Sequence, residues 1–262
     1  MQPGFSAQAP PAAQAMTSAP NVAAAAQFCD QVLSWPTVVF MPARDSDVAK
    51  TMFTGWSART VTIPLATRAG NQVNPPALHA VIRVPKHDHF TIHVVTAHDG
   101  VCVAQASGHR AAAGHGQPVA WGGAPYGHVH HDSSNRRALL PCVSRDPVVV
   151  ATGPSEALAN AENMGNSRNL LLDVGYCLLC AGIPCCFVGS AQPTEFIVTN
   201  GAGQRIATHE IRGMKSQDTY HTQTSELRVE EGSTPEQRRL ALMATLYHIA
   251  MTCSEKPGSS GP

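Results

Sequence analysis

Short apolar runs separated by turn-forming residues fill most of this chain, and the clearest of them alternates apolar and polar residues. The segment from His89 to Thr96, H-F-T-I-H-V-V-T, alternates in this way, which is the period of a strand with one buried face. His98-Asp99-Gly100 supplies a turn and Val101 to Ala106 returns, so we predict a hairpin. Further strands are predicted at Thr37 to Met41, Arg59 to Leu65, Leu78 to Val84, Tyr126 to His130, Ala138 to Val143, Pro147 to Thr152, Glu195 to Thr199, Gln204 to Ile211 and Thr224 to Val229.

The pattern changes near the C-terminus, between Ser233 and Ser254. Thr234 and Gln237 form a T-x-x-Q capping box, and Pro235 suits the first helical position, so a helix is predicted to begin there. From Leu240 onward apolar residues cover every side of the helix, and such a helix has to be buried all round. It is too short to span a bilayer comfortably. The predicted core residues of this helix are Leu240, Met243, Leu246, Tyr247, Ile249 and Ala250.

Short strands followed by one buried helix predict a mainly β domain in which an antiparallel barrel closes around the helix. Closure hides the helix and also removes the sheet edges. No linker interrupts the pattern, so we predict one barrel domain over residues 37–255. Residues 1–36 are predicted to form a flexible Ala/Pro-rich tail, in which Asn21 to Leu33 could form one short helix. Residues 256–262 are predicted to be a second tail.

Charge and composition restrict the partners. The chain has 18 Lys and Arg against 18 Asp and Glu, so its net charge does not favour binding to nucleic acid. The sequence also has no cluster of basic residues that would bind acidic lipids. Charged residues make up 14% of the chain, against about 25% in typical proteins. This favours a surface hidden in a partner, an assembly or a membrane, although a soluble Ser/Thr/Gln/Asn surface gives the same composition. Residues 1–27 resemble neither a secretory signal nor a mitochondrial presequence, so we expect an intracellular protein.

Four of the eight cysteines lie in the most apolar run of the chain, Val174 to Gly189. A zinc site is disfavoured because the adjacent pair in this run cannot easily provide two ligands. S-acylation, such as palmitoylation, suits clustered cysteines in an apolar, Pro-containing run beside a membrane. Buried free thiols are the commoner explanation, and both remain open. The candidate lipidation residues are Cys177, Cys180, Cys185 and Cys186.

The thirteen histidines include two H-x-H pairs, His87 with His89 and His128 with His130. Such a pair on a strand places two imidazoles on one face, a common arrangement for binding metal. His131 is the nearest additional ligand, but nothing else fixes a third, so His128, His130 and His131 are weak metal candidates beside ordinary surface histidines. The sequence has no nucleophile elbow, phosphate-binding loop or paired carboxylates. We therefore expect no enzymatic activity and no cofactor.

The order of these features resembles the phospholipid scramblase family. The stretch A-P-Y-G-H-V from Ala124 to Val129 resembles the P-x-G-x-V strand start of that family, and Glu195 to Ala207 resembles its F-x-I…G-x-x-V-G-x-I hairpin. The resemblance covers about Gly122 to Glu255. Scramblases and tubby proteins share a twelve-stranded barrel around a hydrophobic C-terminal helix. The resemblance therefore implies this fold, with about twelve strands.

The same resemblance implies a membrane-associated protein that binds phospholipids and is held at a bilayer by acylated cysteines. The acidic D-x-D-x-F segment of the family is replaced here by Tyr220 to Ser225, so calcium-dependent activity is not expected. The alternative is a non-catalytic structural or accessory subunit that uses the barrel to contact neighbouring subunits of a large assembly. Low charge and the missing acidic segment favour this alternative. Neither hypothesis includes a nucleic-acid partner.

Overall fold

The computed structural model describes residues 19–50, 57–86, 89–109, 116–132, 148–162, 195–211 and 224–253. Two helices, α1 (Ala19–Leu33) and α2 (Pro235–Cys253), flank the strands within these ranges. The strands are β1 (Thr37–Phe40), β2 (Arg44–Lys50), β3 (Ser57–Ala69), β4 (Gln72–Val73), β5 (Leu78–Lys86), β6 (His89–Thr96), β7 (Cys102–His109), β8 (Gln117–Trp121), β9 (Ala124–Asp132), β10 (Val148–Thr152), β11 (Ala157–Glu162), β12 (Glu195–Asn200), β13 (Arg205–Ile211) and β14 (Ser225–Val229).

Twelve of these strands form a closed antiparallel barrel. They follow the order β1-β14-β13-β12-β11-β10-β9-β8-β7-β6-β5-β3, and β3 pairs with β1 to complete the ring. Closure depends on β3, whose thirteen residues pair with β5 along one edge and with β2 and then β1 along the other. The closing register runs from Val38 opposite Thr67 to Phe40 opposite Leu65. This architecture confirms the predicted fold class.

Helix α2 lies inside the barrel. Every residue from Leu240 to Met251 is at most 3% exposed, including the six predicted core residues. The helix contacts strands on all sides of the ring, from β5, β6 and β7 to β9, β10, β11 and β13. Its start has the predicted capping box: the Thr234 N–H donates to Gln237 Oε1 at 2.9 Å, and the Gln237 N–H donates to Thr234 Oγ1 at 3.1 Å. The polar Thr245 is satisfied within the helix, because its hydroxyl donates to the Ala241 carbonyl at 2.8 Å.

The inner face of the barrel is fitted to the helix side chains. Phe90 of β6 packs edge-on against Tyr247, with ring centroids 5.0 Å apart. Gly108 of β7 lies opposite Phe90, and a Cβ on this glycine would come within 2.2 Å of Phe90 Cζ. Glycine at this position therefore leaves the space that the phenylalanine ring occupies.

The two ends of the barrel differ. We call the end around the N-terminus of α2 the near rim, and the end around its C-terminus the far rim. Short turns join the strands at the near rim, for example at residues 97–101, 122–123, 153–156 and 201–204. Consecutive antiparallel strands run in opposite directions, so every second connection lies at the same end of the barrel. By this rule, all six internal segments outside the described ranges start and end at the far rim. One of these segments contains Cys177, Cys180, Cys185 and Cys186, so the predicted lipidation residues lie outside the described residues.

Helix α1 packs across the near rim, and it corresponds to the helix predicted from Asn21 to Leu33. Cys29 and Leu33 are at most 1% exposed, and the helix contacts β7 and α2. The turn between β8 and β9 contains Gly122 and Gly123, both with positive φ, 61° and 81°. Positive φ is the reason for glycine at both positions, since a Cβ there would meet Ala26 and Val22 of α1 only at ordinary contact distances of 3.4 and 3.5 Å. Residues 19–36 thus belong to the packed structure, while the earlier residues of the predicted tail lie outside the described ranges.

Most predicted strands are present, with bounds that differ by a few residues. The hairpin predicted from His89 to Ala106 appears as β6–β7, and the stretch from Glu195 to Ala207 that resembles the family's hairpin forms β12–β13. Four observed strands were not predicted: β2, β4, β8 and β11. Strand β11, A-L-A-N-A-E, was missed because alanine and asparagine disfavour strands, and pairing with β10 and β12 overrides that preference. The predicted strand from Ala138 to Val143 lies outside the described residues.

Candidate functional site

Side chains of α2 fill the barrel, so the groups accessible to a partner lie on its rims and outer wall. The near rim is where α1 and α2 meet. Arg239 of α2 donates from Nε and Nη2 to the two carboxylate oxygens of Asp30, at 2.8 and 2.5 Å. Its guanidinium also lies 5.4 Å from the ring centroid of Trp121 and 5.5 Å from that of Tyr126. The hydrogen bonds to Asp30 raise the pKa of Arg239, so the charge is fixed at every relevant pH.

Neighbouring residues of α2 secure the same rim. Arg238 Nη1 donates to the carbonyls of Leu33, Ser34 and Trp35 at 2.8, 3.0 and 3.4 Å, and so caps the C-terminus of α1. Glu236 accepts hydrogen bonds from the Ser155 hydroxyl and from the N–H groups of residues 155 and 156 in the β10–β11 turn. Burial alone would raise the pKa of Glu236, but these hydrogen bonds outweigh it and lower the pKa. The near rim is therefore a structural junction rather than an open site.

A groove on the outer wall begins beside this junction. It has a volume of about 260 Å³ and is lined by Arg205 and Thr208 of β13, Arg228 and Val229 of β14, and Glu230. Arg228 Nη2 lies 2.8 Å from Glu210 Oε2 and 3.3 Å from Glu226 Oε2. Arg205 and Glu230 are about half exposed and 3.9 Å apart. The groove thus combines cationic, anionic and hydroxyl groups within reach of one small ligand.

Glu226 is the acidic residue of β14, and its contacts decide whether this strand can offer ligands to calcium. Glu226 is 4% exposed, and its Oε1 lies 2.7 Å from Arg68 Nη2 while its Oε2 faces Arg228. Both oxygens are therefore engaged by arginines. A calcium ion takes six to eight oxygen ligands, and this arrangement does not offer them.

The histidines proposed as metal ligands do not converge. His128, His130 and His131 lie on β9; the first is exposed, the second half-buried, and His131 points to the opposite face and is 5% exposed. No group of three His, Cys, Asp or Glu side chains suited to a metal ion occurs in the part of the chain that the structure describes. Of the other H-x-H pair, His87 lies outside the described residues, and the centroid of the His89 ring lies 3.9 Å from that of His109.

A buried polar cluster lies within the barrel wall, and sequence reasoning missed it. His209 Nε2 lies 2.9 Å from Ser225 Oγ, and the Phe196 ring stacks on His209 and contacts His248 of α2 at 4.2 Å. Burial lowers the pKa of His209 to about 3, and His248 adds to this shift, so the imidazole is neutral. Both members of the Ser–His pair are 1% exposed, so no substrate reaches them. The pair joins β13 to β14 beside the central helix.

The described cysteines do not form a reactive centre. Cys102 Sγ lies 3.8 Å from His93 Nδ1 on the outer wall. Burial raises the pKa of Cys102 and lowers the pKa of His93, so the pair is neutral rather than a thiolate with an imidazolium. Burial also raises the pKa of Cys29 to about 12. These thiols behave as small apolar side chains.

The chain was compared with known families, curated proteins and solved structures, and none of them matches it. Within the described ranges, neither helix combines the length and the apolar character needed to cross a bilayer.

Proposed function

We propose that this protein is a membrane-associated, scramblase-like protein that binds phospholipids, without calcium-dependent activity. The observation that carries the proposal is the closed twelve-stranded barrel with the apolar C-terminal helix inside it. This is the architecture that the resemblance to scramblases implies. Gly127 of the quoted A-P-Y-G-H-V stretch also has a structural role. A Cβ there would lie 1.8 Å from the Thr152 carbonyl oxygen, so the motif requires glycine.

The filled interior determines how lipid would be bound. Leu240 to Met251 occupy the inside of the ring, so an acyl chain or headgroup would have to contact the outer wall or a rim. The four candidate acylation cysteines belong to the connection between β11 and β12, which starts and ends at the far rim. Acylation there would hold that rim at a bilayer, and two chains would be needed for stable anchoring.

The contacts of β14 support the proposed lack of calcium dependence. Glu226 is held by Arg68 and Arg228, and a calcium ion would have to displace both. We propose that the protein's own side chains bind the lipid directly and that no calcium ion has to bind first.

The test uses the purified full-length chain and vesicles with a fluorescent phospholipid. We expect the protein to float with vesicles in a density gradient, equally in calcium and in chelator. A reduction assay of the outer-leaflet dye then shows whether the protein also moves lipid between leaflets. Absence of vesicle binding by wild-type protein, acylated or not, would overturn the proposal.

A non-catalytic subunit of a large assembly is the second candidate. Two observations favour it: the low charged fraction of 14%, and a helix-filled barrel that can serve as a rigid contact module. Fractionation of native material separates the two functions. Release by hydroxylamine indicates a thioester anchor and the membrane function. Co-purification in a large complex that persists after membrane extraction, with unmodified thiols, indicates the subunit.

A further inference from the structure

The groove formed by β13 and β14 contains a buried hydroxyl group without a hydrogen-bond partner among the described residues. Thr208 is 6% exposed, and its Oγ1 has no hydrogen-bond partner among the described residues. A buried hydroxyl without a partner costs free energy. Because Thr208 lines the groove, a ligand there could satisfy it.

The charges around this hydroxyl are of both signs. Arg205 and Glu230 are 51% and 47% exposed at the side chain, and their closest atoms are 3.9 Å apart, beyond hydrogen-bond distance. Their hydrogen-bonding groups can therefore be directed at a ligand. An anion alone would face the Glu230 carboxylate, and a cation alone would face two arginines. A ligand with a phosphate and an ammonium group complements both.

The chain segment that pairs with the groove strand β14 contains an exposed aromatic residue. The N–H of Val229, a groove residue, donates to the Pro36 carbonyl at 2.9 Å, which places the backbone of Trp35 at the groove margin. Trp35 is 39% exposed and is one of two large apolar residues exposed in the described part of the chain. Tryptophan is enriched where membranes meet water, at the depth of the headgroups.

From these features we infer that the groove binds a zwitterionic phospholipid headgroup of the phosphoethanolamine type, and this rests on the proposed lipid-binding function. The phosphate accepts hydrogen bonds from the Arg205 guanidinium and the Thr208 hydroxyl. The ammonium donates to the Glu230 carboxylate. A volume of about 260 Å³ is below the usual range for drug-sized ligands and suits a headgroup whose acyl chains remain outside, beside Trp35.

The experiment measures the affinity of the full-length chain for phosphatidylcholine vesicles with and without phosphatidylethanolamine, and for vesicles rich in anionic phosphatidylserine. We expect tightest binding to the phosphatidylethanolamine vesicles. Arg205→Gln should weaken that binding about tenfold, as expected for a charge-assisted hydrogen bond. Thr208→Val should weaken it about fivefold without lowering stability, because it removes a hydroxyl that lacks a protein partner. Arg83→Gln, which changes another exposed arginine on the outer wall, should leave binding unchanged.

Soluble glycerophosphoethanolamine separates the two sources of this headgroup. Its competition with vesicles in wild-type protein, lost in Arg205→Gln, supports the groove as the site. If wild-type protein binds vesicles and both groove variants bind equally well, this inference is wrong and the proposed function stands. If the soluble compound binds at the groove but vesicles do not, the ligand is a free metabolite and the proposed function fails. Stronger binding to phosphatidylserine than to phosphatidylethanolamine would overturn the choice of a zwitterion.

Discussion

Arg239 and Asp30 form a two-point ion pair between helices that are separated by almost the whole chain, with nitrogen–oxygen distances of 2.8 and 2.5 Å. Their side chains are 24% and 29% exposed, so water screens the pair only in part. The pair fixes α1 across the near rim, above the point where α2 enters the barrel. Helix α1 is thus tied directly to the helix inside the barrel.

We expect Asp30→Asn to lower the free energy of unfolding by about 1–2 kcal/mol, because it leaves a half-buried guanidinium without its carboxylate. A double-mutant cycle with Arg239→Gln in urea unfolding measures the coupling energy. The matched control is the exposed pair Arg205 and Glu230, whose coupling should stay below about 0.5 kcal/mol. Equal coupling in the two cycles would contradict the role given to the rim pair.

Leu246→Asp should abolish folding. Leu246 is 0% exposed inside the barrel, and an unpaired buried charge costs several kcal/mol, a large part of a total stability of about 5–15 kcal/mol. Circular dichroism and thermal unfolding check this. Val73→Asp, at a residue that is 40% exposed, is the control and should fold normally. A soluble, cooperatively folded Leu246→Asp protein would refute the central position of α2.

Stability should fall with acid in a range set by His209. Its pKa is about 3 in the folded protein and about 6.5 in an unfolded chain. Between these values the unfolded chain binds a proton that the folded protein does not, so the free energy of unfolding decreases as pH falls. From pH 6.5 to 5 the expected loss is about 1–2 kcal/mol.

Urea titrations at several pH values measure this slope. His209→Gln should be less stable at neutral pH but should show a flatter dependence between pH 5 and 6.5. His98→Gln, at a side chain that is 65% exposed, should keep the wild-type slope. An unchanged slope in His209→Gln would show that other groups determine the acid response.

Gly127→Ala should destabilise the barrel by about 2–4 kcal/mol. The added methyl group would meet the Thr152 carbonyl oxygen at 1.8 Å, so the backbones of β9 and β10 would have to separate. Gly201→Ala is the control, because nothing lies within 4 Å of a Cβ there, and its effect should be within about 0.5 kcal/mol. Chemical denaturation of both variants gives the comparison.

The acylation state of four cysteines distinguishes the proposed membrane function from the proposed role as an assembly subunit. For a peripheral membrane protein, at least two of Cys177, Cys180, Cys185 and Cys186 should carry thioester-linked acyl chains. Mass spectrometry of native protein, before and after hydroxylamine, checks this. Unmodified thiols in protein from its native source would reject the lipid anchor.

The sequence predicts the elements whose signals are local. The capping box of Thr234 and Gln237 and the all-round apolar run locate α2. Period-two alternation with a His-Asp-Gly turn locates the β6–β7 hairpin. The contacts that define the rim and the groove are not local. Asp30 meets Arg239 only after the barrel closes, and Arg205 meets Glu230 because β13 and β14 are neighbours. The polar His209 lies at a position that alternation alone would not identify as core.

Because short turns join the strands at one rim and the longest connections start and end at the other, we expect the barrel to tolerate change unequally at its two ends. Lengthening a connection at the far rim changes no strand register, and each doubling of a loop costs only about 0.6 kcal/mol in closure entropy. Changes at residues 153–156 would disturb the turn that hydrogen-bonds to Glu236 of α2. Changes at residues 122–123 would disturb the turn that contacts α1. Tags, reporters and inserted domains therefore belong in the far-rim connections. We expect sequence and length differences among related proteins to concentrate in the same connections, so that one barrel can support different functions.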